Sequence, residues 1–211
     1  MDTTDRHRRS IRLRGWDYTA AAAYFVTIVT HERDMLFGEI VGGDVVLSMF
    51  GHIAAEEWAR TAAVRVNVEL DEFVVMPNHI HGIIWITGQV GDVALPADGG
   101  ARHRLEDGAR HCLEDGATHR LEDGARHRLA PTGGGRGISV AAGSLGAIVG
   151  GYKSAVARRI NDLRGMPGVP VWQRNYYERI VRNERELAAI RLYIVENPRN
   201  WPVDRENRPL E

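Results

Sequence analysis

The sequence is poor in cysteine, in net charge and in long apolar runs, and each shortage excludes a class of protein. Cys112 is the only cysteine among 211 residues, so neither a disulfide nor a cysteine-based zinc site can form within one chain. The 27 basic and 28 acidic residues leave a net charge of −1, which excludes a uniformly basic coat for nucleic acid. No apolar run reaches the roughly 20 residues that span a membrane, and no apolar signal core follows the N-terminus. We therefore expect a cytoplasmic protein with no membrane partner.

Lysine is scarce too, because Lys153 is the only lysine among the 27 basic residues. This bias has two interpretations. A GC-rich genome favours arginine codons, and arginine is also the side chain that binds phosphate with two parallel hydrogen bonds. The arginines are unevenly spread, with one concentration before Gly15 and another after Lys153.

The segment 91–137 contains an internal repeat of eight residues. The unit Arg-His-Arg-Leu-Glu-Asp-Gly-Ala begins at Arg102 and recurs, with small changes, at Arg110, Thr118 and Arg126. Each copy has a single bulky apolar residue, which is too little to bury a core. The composition predicts a flexible, low-complexity insert. Its histidines could bind a metal if they clustered: His103, His111, His119 and His127.

The insert divides what we predict to be one domain. Apolar periodicity and turn residues predict strands at 23–30, 45–48, 72–76 and 79–86, and helices at 49–62, 145–163 and 184–197. Asn183 and Glu186 have the spacing of a capping box, and Pro198 ends the last helix. This order predicts an α+β fold in which one antiparallel sheet is covered on one face by helices. The predicted parts are a basic N-terminal arm (1–19), a split domain (20–90 and 138–201), the insert (91–137) and a C-terminal tail (202–211).

Two histidines that flank one apolar residue begin the strand at 79–86. Alternate side chains of a strand point to opposite faces, so His79 and His81 project together while Ile80 faces the core. Two neutral imidazoles side by side can bind one divalent metal ion. Such a pair can equally be two solvated or hydrogen-bonded strand residues, so the metal interpretation needs further ligands.

The last helix offers a third ligand and a nucleophile. Tyr193 and Asn197 are four residues apart and therefore lie on one helical face. A metal held by two imidazoles and an amide beside a phenol suits phosphodiester cleavage, in which a tyrosinate attacks phosphorus. By spacing alone, Tyr193 could also be a core-edge aromatic and Asn197 an ordinary helix-terminal residue.

Four segments in this order resemble the REP-associated tyrosine transposases, which are relatives of the single-tyrosine insertion-sequence transposases in the HUH endonuclease superfamily. The segments are Tyr24–Ile28, Val74–Ile84, Trp172–Asn183 and Tyr193–Pro198. The resemblance extends from about Arg9 to Trp201, apart from the insert.

The resemblance implies a ferredoxin-like α+β fold and a transposase that nicks and rejoins single-stranded DNA at REP-like hairpins, using Mg²⁺ or Mn²⁺. It implies that His79 and His81 bind the metal, that Asn197 is the third ligand, and that Tyr193 forms a 5′-phosphotyrosine. In the insertion-sequence relatives a glutamine occupies the position of Asn197. Members of these families act as monomers or homodimers. Tyr176 and Tyr177 are rival phenols, which we interpret as packing or DNA-stacking residues.

Basic and aromatic side chains are the groups that hold single-stranded DNA. The candidates for such contacts are Arg12, Arg14, Lys153, Arg158, Trp172, Arg174, Arg179 and Arg182. Two other functions stay open. One is a domesticated protein that binds DNA hairpins without cutting them. The other is a metal hydrolase unrelated to DNA, which the lack of acidic ligands near the histidine pair disfavours.

Overall fold

The computed structural model describes residues 15–88 and 141–207, and strands from both segments pair in one sheet. The insert at 91–137 lies outside the described residues, as do Arg12 and Arg14, so the predictions for them remain predictions. The strands are β1 (Ala22–Val29), β2 (Gly38–Val41), β3 (Asp44–Leu47), β4 (Val68–Val75), β5 (His79–Ile86) and β6 (Tyr177–Val181). The helices are α1 (Met49–Ala63), α2 (Leu145–Leu163) and α3 (Glu184–Glu196).

The main sheet is antiparallel and has the strand order β4-β5-β1-β6. Together with α1 and α2, its strands follow one another as β1-α1-β4-β5-α2-β6. This chain order and this strand order are those of a ferredoxin-like fold, so the predicted α+β class is confirmed. The hairpin of β2 and β3 is inserted between β1 and α1. Its turn residues Gly42 and Gly43 have φ of 63° and 93°, values that glycine adopts without strain.

The helices cover both faces of the sheet, whereas the sequence predicted helices on one face. On one face, β1 packs against α1 and α2 through Tyr24 and its alternate neighbours, with Trp58 and Tyr152 in the same core. On the opposite face, Leu187 and Ile194 of α3 are buried with Phe25. The physical reason is that β1 and β5 carry apolar side chains on both faces, so each face has to be removed from water.

The predicted element boundaries hold best where a cap or a turn marks them. Asn183 accepts a hydrogen bond from the backbone N–H of Glu186 at 2.9 Å, which confirms the predicted N-cap of α3. Strand β4 begins four residues before the predicted position, because its acidic side chains conceal the strand pattern. Strand β2 was not predicted, and strand β6 lies in a segment (171–181) that the sequence indicates only as extended or irregular. Within the described residues, no helix combines the length and the apolarity needed to cross a membrane.

Gly82 allows the central strand β5 to approach Trp58, and its replacement tests this packing. A Cβ at Gly82 would lie 2.3 Å from Cζ2 of Trp58, whose side chain is fully buried and has no room to move. We expect Gly82→Ala to lower the free energy of unfolding by about 1–3 kcal/mol in urea denaturation. Gly150→Ala is the matched control, since no atom lies within 4 Å of its Cβ on α2. That change should stabilise the helix by about 0.5–1 kcal/mol. Equal stability of Gly82→Ala and wild type would contradict the close approach.

Candidate active site

Strand β5 places both histidines of the pair beneath α3. His79 and His81 are paired in register with Val29 and Thr27 of β1, and their side chains are buried. Their Nε2 atoms lie 3.0 Å apart. Ile80 points into the core on the other face, as the strand alternation predicts. The two imidazoles therefore converge on one point from neighbouring positions on the same face of the strand.

Hydrogen bonds at the far nitrogens orient both rings. Asn78 donates through Nδ2 to the backbone carbonyls of Glu206 (2.8 Å) and Arg33 (3.3 Å), so its Oδ1 is the atom that faces His79 Nδ1 at 2.8 Å. His79 therefore carries its proton on Nδ1 and presents a lone pair on Nε2. The hydroxyl of Thr27 lies 2.9 Å from His81 Nδ1 and orients that ring. Such partners behind a histidine are typical of metal sites.

The segment that supplies the Arg33 carbonyl has an uncommon backbone. Glu32 and Arg33 have φ of 52° and 60°, a left-handed conformation that costs side-chain-bearing residues about 1 kcal/mol or more each. An ion pair of 3.2 Å between Arg33 and Glu206 holds this turn against the C-terminal segment. The turn, Asn78 and residue 206 thus form one connected support behind His79.

Both imidazoles are neutral at physiological pH. Burial lowers the pKa of His79 to about 3, and the nearby charge of Arg33 contributes to the decrease. Burial also lowers the pKa of His81 well below its usual value, with His79 as a second cause. Two neutral rings whose Nε2 atoms lie within hydrogen-bond distance can share a proton or bind one cation.

An acidic residue that the sequence interpretation missed completes the group. His79, His81 and Asp204 each offer a ligand atom, and these atoms lie within 4.8 Å of one another. Asp204 follows the 3-10 turn Trp201–Val203, in the segment that the sequence analysis describes as a C-terminal tail. No spacing rule marks this aspartate in the sequence. Its presence also removes our reason for disfavouring a metal hydrolase unrelated to DNA.

Asn197, the ligand suggested by the sequence, lies at the C-terminal end of α3 beside the same carboxylate. Its Nδ2 donates to Asp204 Oδ2 at 3.1 Å, which fixes the orientation of the amide. Its Oδ1 is buried and has no hydrogen-bond partner within residues 15–88 and 141–207. An amide oxygen in this state is a suitable ligand for a hard divalent cation. His79, His81 and Asp204 therefore form a group that could hold a metal ion, and the unpaired amide oxygen of Asn197 belongs to a side chain in contact with Asp204.

Tyr193 of α3 lies at the open side of this group. Its hydroxyl is 3.2 Å from His81 Nε2, the nitrogen that also faces His79. The side chain is 46% exposed, so a substrate can reach it from solvent. Burial raises the pKa of Tyr193, the charge of Asp204 adds to the increase, and a hydrogen bond with Asn197 offsets part of it. The phenol therefore keeps its proton at neutral pH.

An ion pair anchors α3 to the sheet two residues from Tyr193. Arg191 donates from Nε and Nη2 to the two carboxylate oxygens of Asp71 at 2.8 and 2.6 Å, and Trp85 Nε1 donates to the same carboxylate at 2.9 Å. Asp71 lies where the pairing of β4 with β5 shifts register, between Leu70 and Phe73. Burial raises the pKa of Asp71, but the hydrogen bonds from Arg191 and Trp85 outweigh it and hold the pKa below its usual range.

The predicted DNA contacts within the described residues have different environments. Trp172 is buried against Phe37 and Tyr152, so it belongs to the core and offers no face to a base. Lys153 donates to the backbone carbonyls of Gln173 and Arg174, which ties it to the loop before β6. Burial lowers its pKa to about 8. The exposed members of the predicted set are Arg158, Arg174, Arg179 and Arg182, and Arg179 is paired with Glu186 at 2.6 Å.

One relative resembles the chain over nearly its full length. An uncharacterized protein of Haemophilus influenzae is 33% identical over 202 residues, which cover 94% of this chain and 92% of the relative. The chain belongs to the family of this Haemophilus protein. No family model matches the chain. Membership of this protein family does not assign an activity to the chain.

Two solved structures resemble the fold at a distance. One is a REP-associated tyrosine transposase bound to a REP hairpin, with 14% identity and a TM-score of 0.46, over 90% of this chain and 73% of that one. The other is a Deinococcus radiodurans protein provisionally assigned as a transposase, with 16% identity and a TM-score of 0.38, over 90% and 98% of the two chains. TM-scores this low carry no argument about activity, so the site must be judged on its own chemistry.

The ion pair that anchors α3 predicts a pH-dependent loss of stability. Because the pKa of Asp71 is depressed in the folded state, its stabilisation is present at neutral pH and is lost as the pH falls through the folded-state pKa, below about 4. We expect Arg191→Met to lower the free energy of unfolding by about 1 kcal/mol at pH 7, since Arg191 is partly exposed. In urea denaturation the deficit should shrink below pH 4. A deficit that is independent of pH would show that the ion pair is not its cause.

The choice between Asp204 and Asn197 as metal ligand can be measured directly. We expect Asp204→Asn to weaken Mn²⁺ binding about ten-fold or more in isothermal titration calorimetry, because a carboxylate is replaced by a neutral amide of the same shape. Asp162→Asn on the exposed side of α2 is the control with the same change in charge. If Asp204→Asn binds Mn²⁺ as wild type does and Asn197→Ala does not, the amide is the ligand.

Proposed function

We propose that the protein is a metal-dependent DNA endonuclease and strand-transferase in which Tyr193 is the nucleophile. The observation that carries this proposal is the 3.2 Å distance between the Tyr193 hydroxyl and His81 Nε2, at the point where both imidazoles converge. A phenol beside a group of metal ligands is the arrangement that attack on a phosphodiester requires.

The divalent cation would be held by His79 and His81 together with Asp204 or Asn197, and it would polarise the phosphate and offset its developing negative charge. Imidazole nitrogens bind Mn²⁺ more readily than Mg²⁺, and oxygen donors suit both ions. Of the two metals implied by the resemblance, Mn²⁺ is therefore the better match for this set of ligands.

Tyr193 performs the covalent step. Its oxygen forms a bond to phosphorus, the bond between phosphorus and the 3′ oxygen breaks, and a 5′-phosphotyrosine and a free 3′-OH result. The phenol loses one proton and the departing oxygen gains one, so the step is neutral in protons. Because burial raises the pKa of Tyr193, this proton must leave as the new bond forms. Attack of the free 3′-OH on the phosphotyrosine would then rejoin the strand.

The substrate we propose is single-stranded DNA next to a REP-like hairpin. This follows from the resemblance of the four sequence segments, and the exposed Arg174 and Arg182 beside β6 are available for phosphates. His79, His81 and Tyr193 meet within one chain, so the set needs no partner subunit. We therefore propose that a monomer is competent to nick DNA.

A covalent adduct is the direct test of the nucleophile. The full-length protein is incubated with Mn²⁺ or Mg²⁺ and with hairpin oligonucleotides taken from the flanks of its own gene. The covalent protein–DNA adduct is then quantified on a denaturing gel. We expect an adduct with wild type, none with Tyr193→Phe, and a wild-type amount with Tyr177→Phe. Removal of the metal with a chelator should abolish the adduct without unfolding the protein.

Each other outcome assigns a different function. Tight hairpin binding without cleavage in either metal would identify a DNA-binding protein that does not cut. Metal-dependent hydrolysis of phosphoesters without any adduct would identify a hydrolase that uses water. An adduct that survives Tyr193→Phe and is lost in Tyr177→Phe would show that Tyr177 is the nucleophile.

A further inference from the structure

Tyr177 is an exposed aromatic residue on the same sheet face as the candidate active site. It begins the edge strand β6 and is paired in register with Thr27, whose hydroxyl contacts His81. The side chain of Tyr177 is 48% exposed. Tyr176, its neighbour, packs against the core on the opposite face. The adjacent tyrosines of this segment therefore have different environments, and one of them faces the site.

A continuous series of ring contacts joins Tyr177 to the nucleophile. Phe25 lies between the two tyrosines, with its centroid 6.3 Å from that of Tyr177 and 6.0 Å from that of Tyr193, and both contacts are edge-on. Phe25 also stacks on His81 at 5.5 Å. Phe25 is thus the single ring between Tyr177 and Tyr193. A nucleotide next to the one that Tyr193 attacks could therefore reach the ring of Tyr177.

Arginines flank Tyr177 in the sequence. Arg174 precedes it in the loop that Lys153 holds through two backbone carbonyls, and Arg179 follows it on the same face of β6, where it is paired with Glu186 at 2.6 Å. Both arginines are exposed. A half-exposed aromatic ring flanked by exposed arginines is the combination that holds single-stranded nucleic acid, and here it lies on the sheet face of the candidate metal group.

We propose that Tyr177 stacks on the base of the nucleotide next to the reacting phosphate. This proposal rests on the proposed function and extends it, because it gives the site a contact that fixes the position of the strand relative to Tyr193. Stacking uses the π-face that every base has, so the contact selects for an unpaired nucleotide and tolerates any sequence. Double-stranded DNA, whose bases are already stacked, lacks the free base that Tyr177 would bind.

Three variants of the full-length protein test whether the aromatic ring of Tyr177 is the group that binds the base. Tyr177→Phe keeps the ring and removes the hydroxyl, and Tyr177→Leu removes the ring and keeps an apolar side chain. Val46→Ala, at a half-exposed position of the β2–β3 hairpin, is the control for loss of exposed apolar surface. Circular dichroism and thermal unfolding verify that each variant is folded.

Binding is measured by fluorescence of hairpin oligonucleotides that carry 2-aminopurine at each single-stranded position in turn, with the metal chelated so that no cleavage occurs. Stacking on an aromatic ring quenches this base. We expect one position to be quenched by wild type, Tyr177→Phe and Val46→Ala. Tyr177→Leu should lose the quenching and bind about ten-fold more weakly, which corresponds to about 1.4 kcal/mol.

Quenching and affinity that are unchanged in Tyr177→Leu would overturn the proposal. So would quenching that is lost in Tyr177→Phe, because the ring would then not be the group that matters. The proposed function fails separately, through the absence of a covalent adduct with wild type in the presence of metal. A Tyr177-dependent quench without any adduct would support the stacking residue and contradict the nucleophile.

Discussion

The structure depends on the burial of both faces of its two central strands. β1 and β5 carry apolar side chains on each side, so a single layer of helices cannot remove them all from water. Helices α1 and α2 cover one face, and α3 covers the other through Leu187 and Ile194. The packing of α3 on the second face creates the site, because it places Tyr193 over the face on which His79 and His81 lie. The same apolar sheet that stabilises the fold therefore keeps two imidazoles neutral and brings a phenol to them.

The buried polar groups behind His79 are arranged around Asn78. Its side chain accepts from His79 and donates to the carbonyls of residues 33 and 206, and its own carbonyl accepts from the backbone and the hydroxyl of Thr30. Buried polar groups that are satisfied in this way hold a single geometry, whereas an unsatisfied one costs free energy. Asn197 Oδ1 is unsatisfied within the described residues, and it lies beside the proposed metal ligands. Asn78 and its partners therefore have a fixed geometry, whereas Asn197 Oδ1 is an acceptor that remains able to bind a ligand.

Local patterns were sufficient for most of the helices and strands in residues 15–88 and 141–207. Strand alternation predicted that His79 and His81 share a face, and the capping residue Asn183 with helical periodicity placed Tyr193 and Asn197 one turn apart. These are properties of a few consecutive residues. Asp204 escaped prediction because it lies beyond the last helix in a segment without periodicity. Trp172, which the sequence suggested as a DNA contact, is buried, since nothing in the sequence distinguishes an aromatic in the core from one on a binding surface.

By itself, therefore, the sequence determined which residues lie on a common face of each strand and helix, since backbone geometry repeats every two or 3.6 residues. Only the tertiary structure decided which faces meet. The two-faced burial of β1 and β5 moved α3 to the side opposite α1 and α2, and hydrogen bonds from Asn78 and Asn197 brought the C-terminal segment and Asp204 to the histidines. These contacts join residues far apart in the chain, and the free energy of burying them together is a property of the whole fold that no local pattern contains.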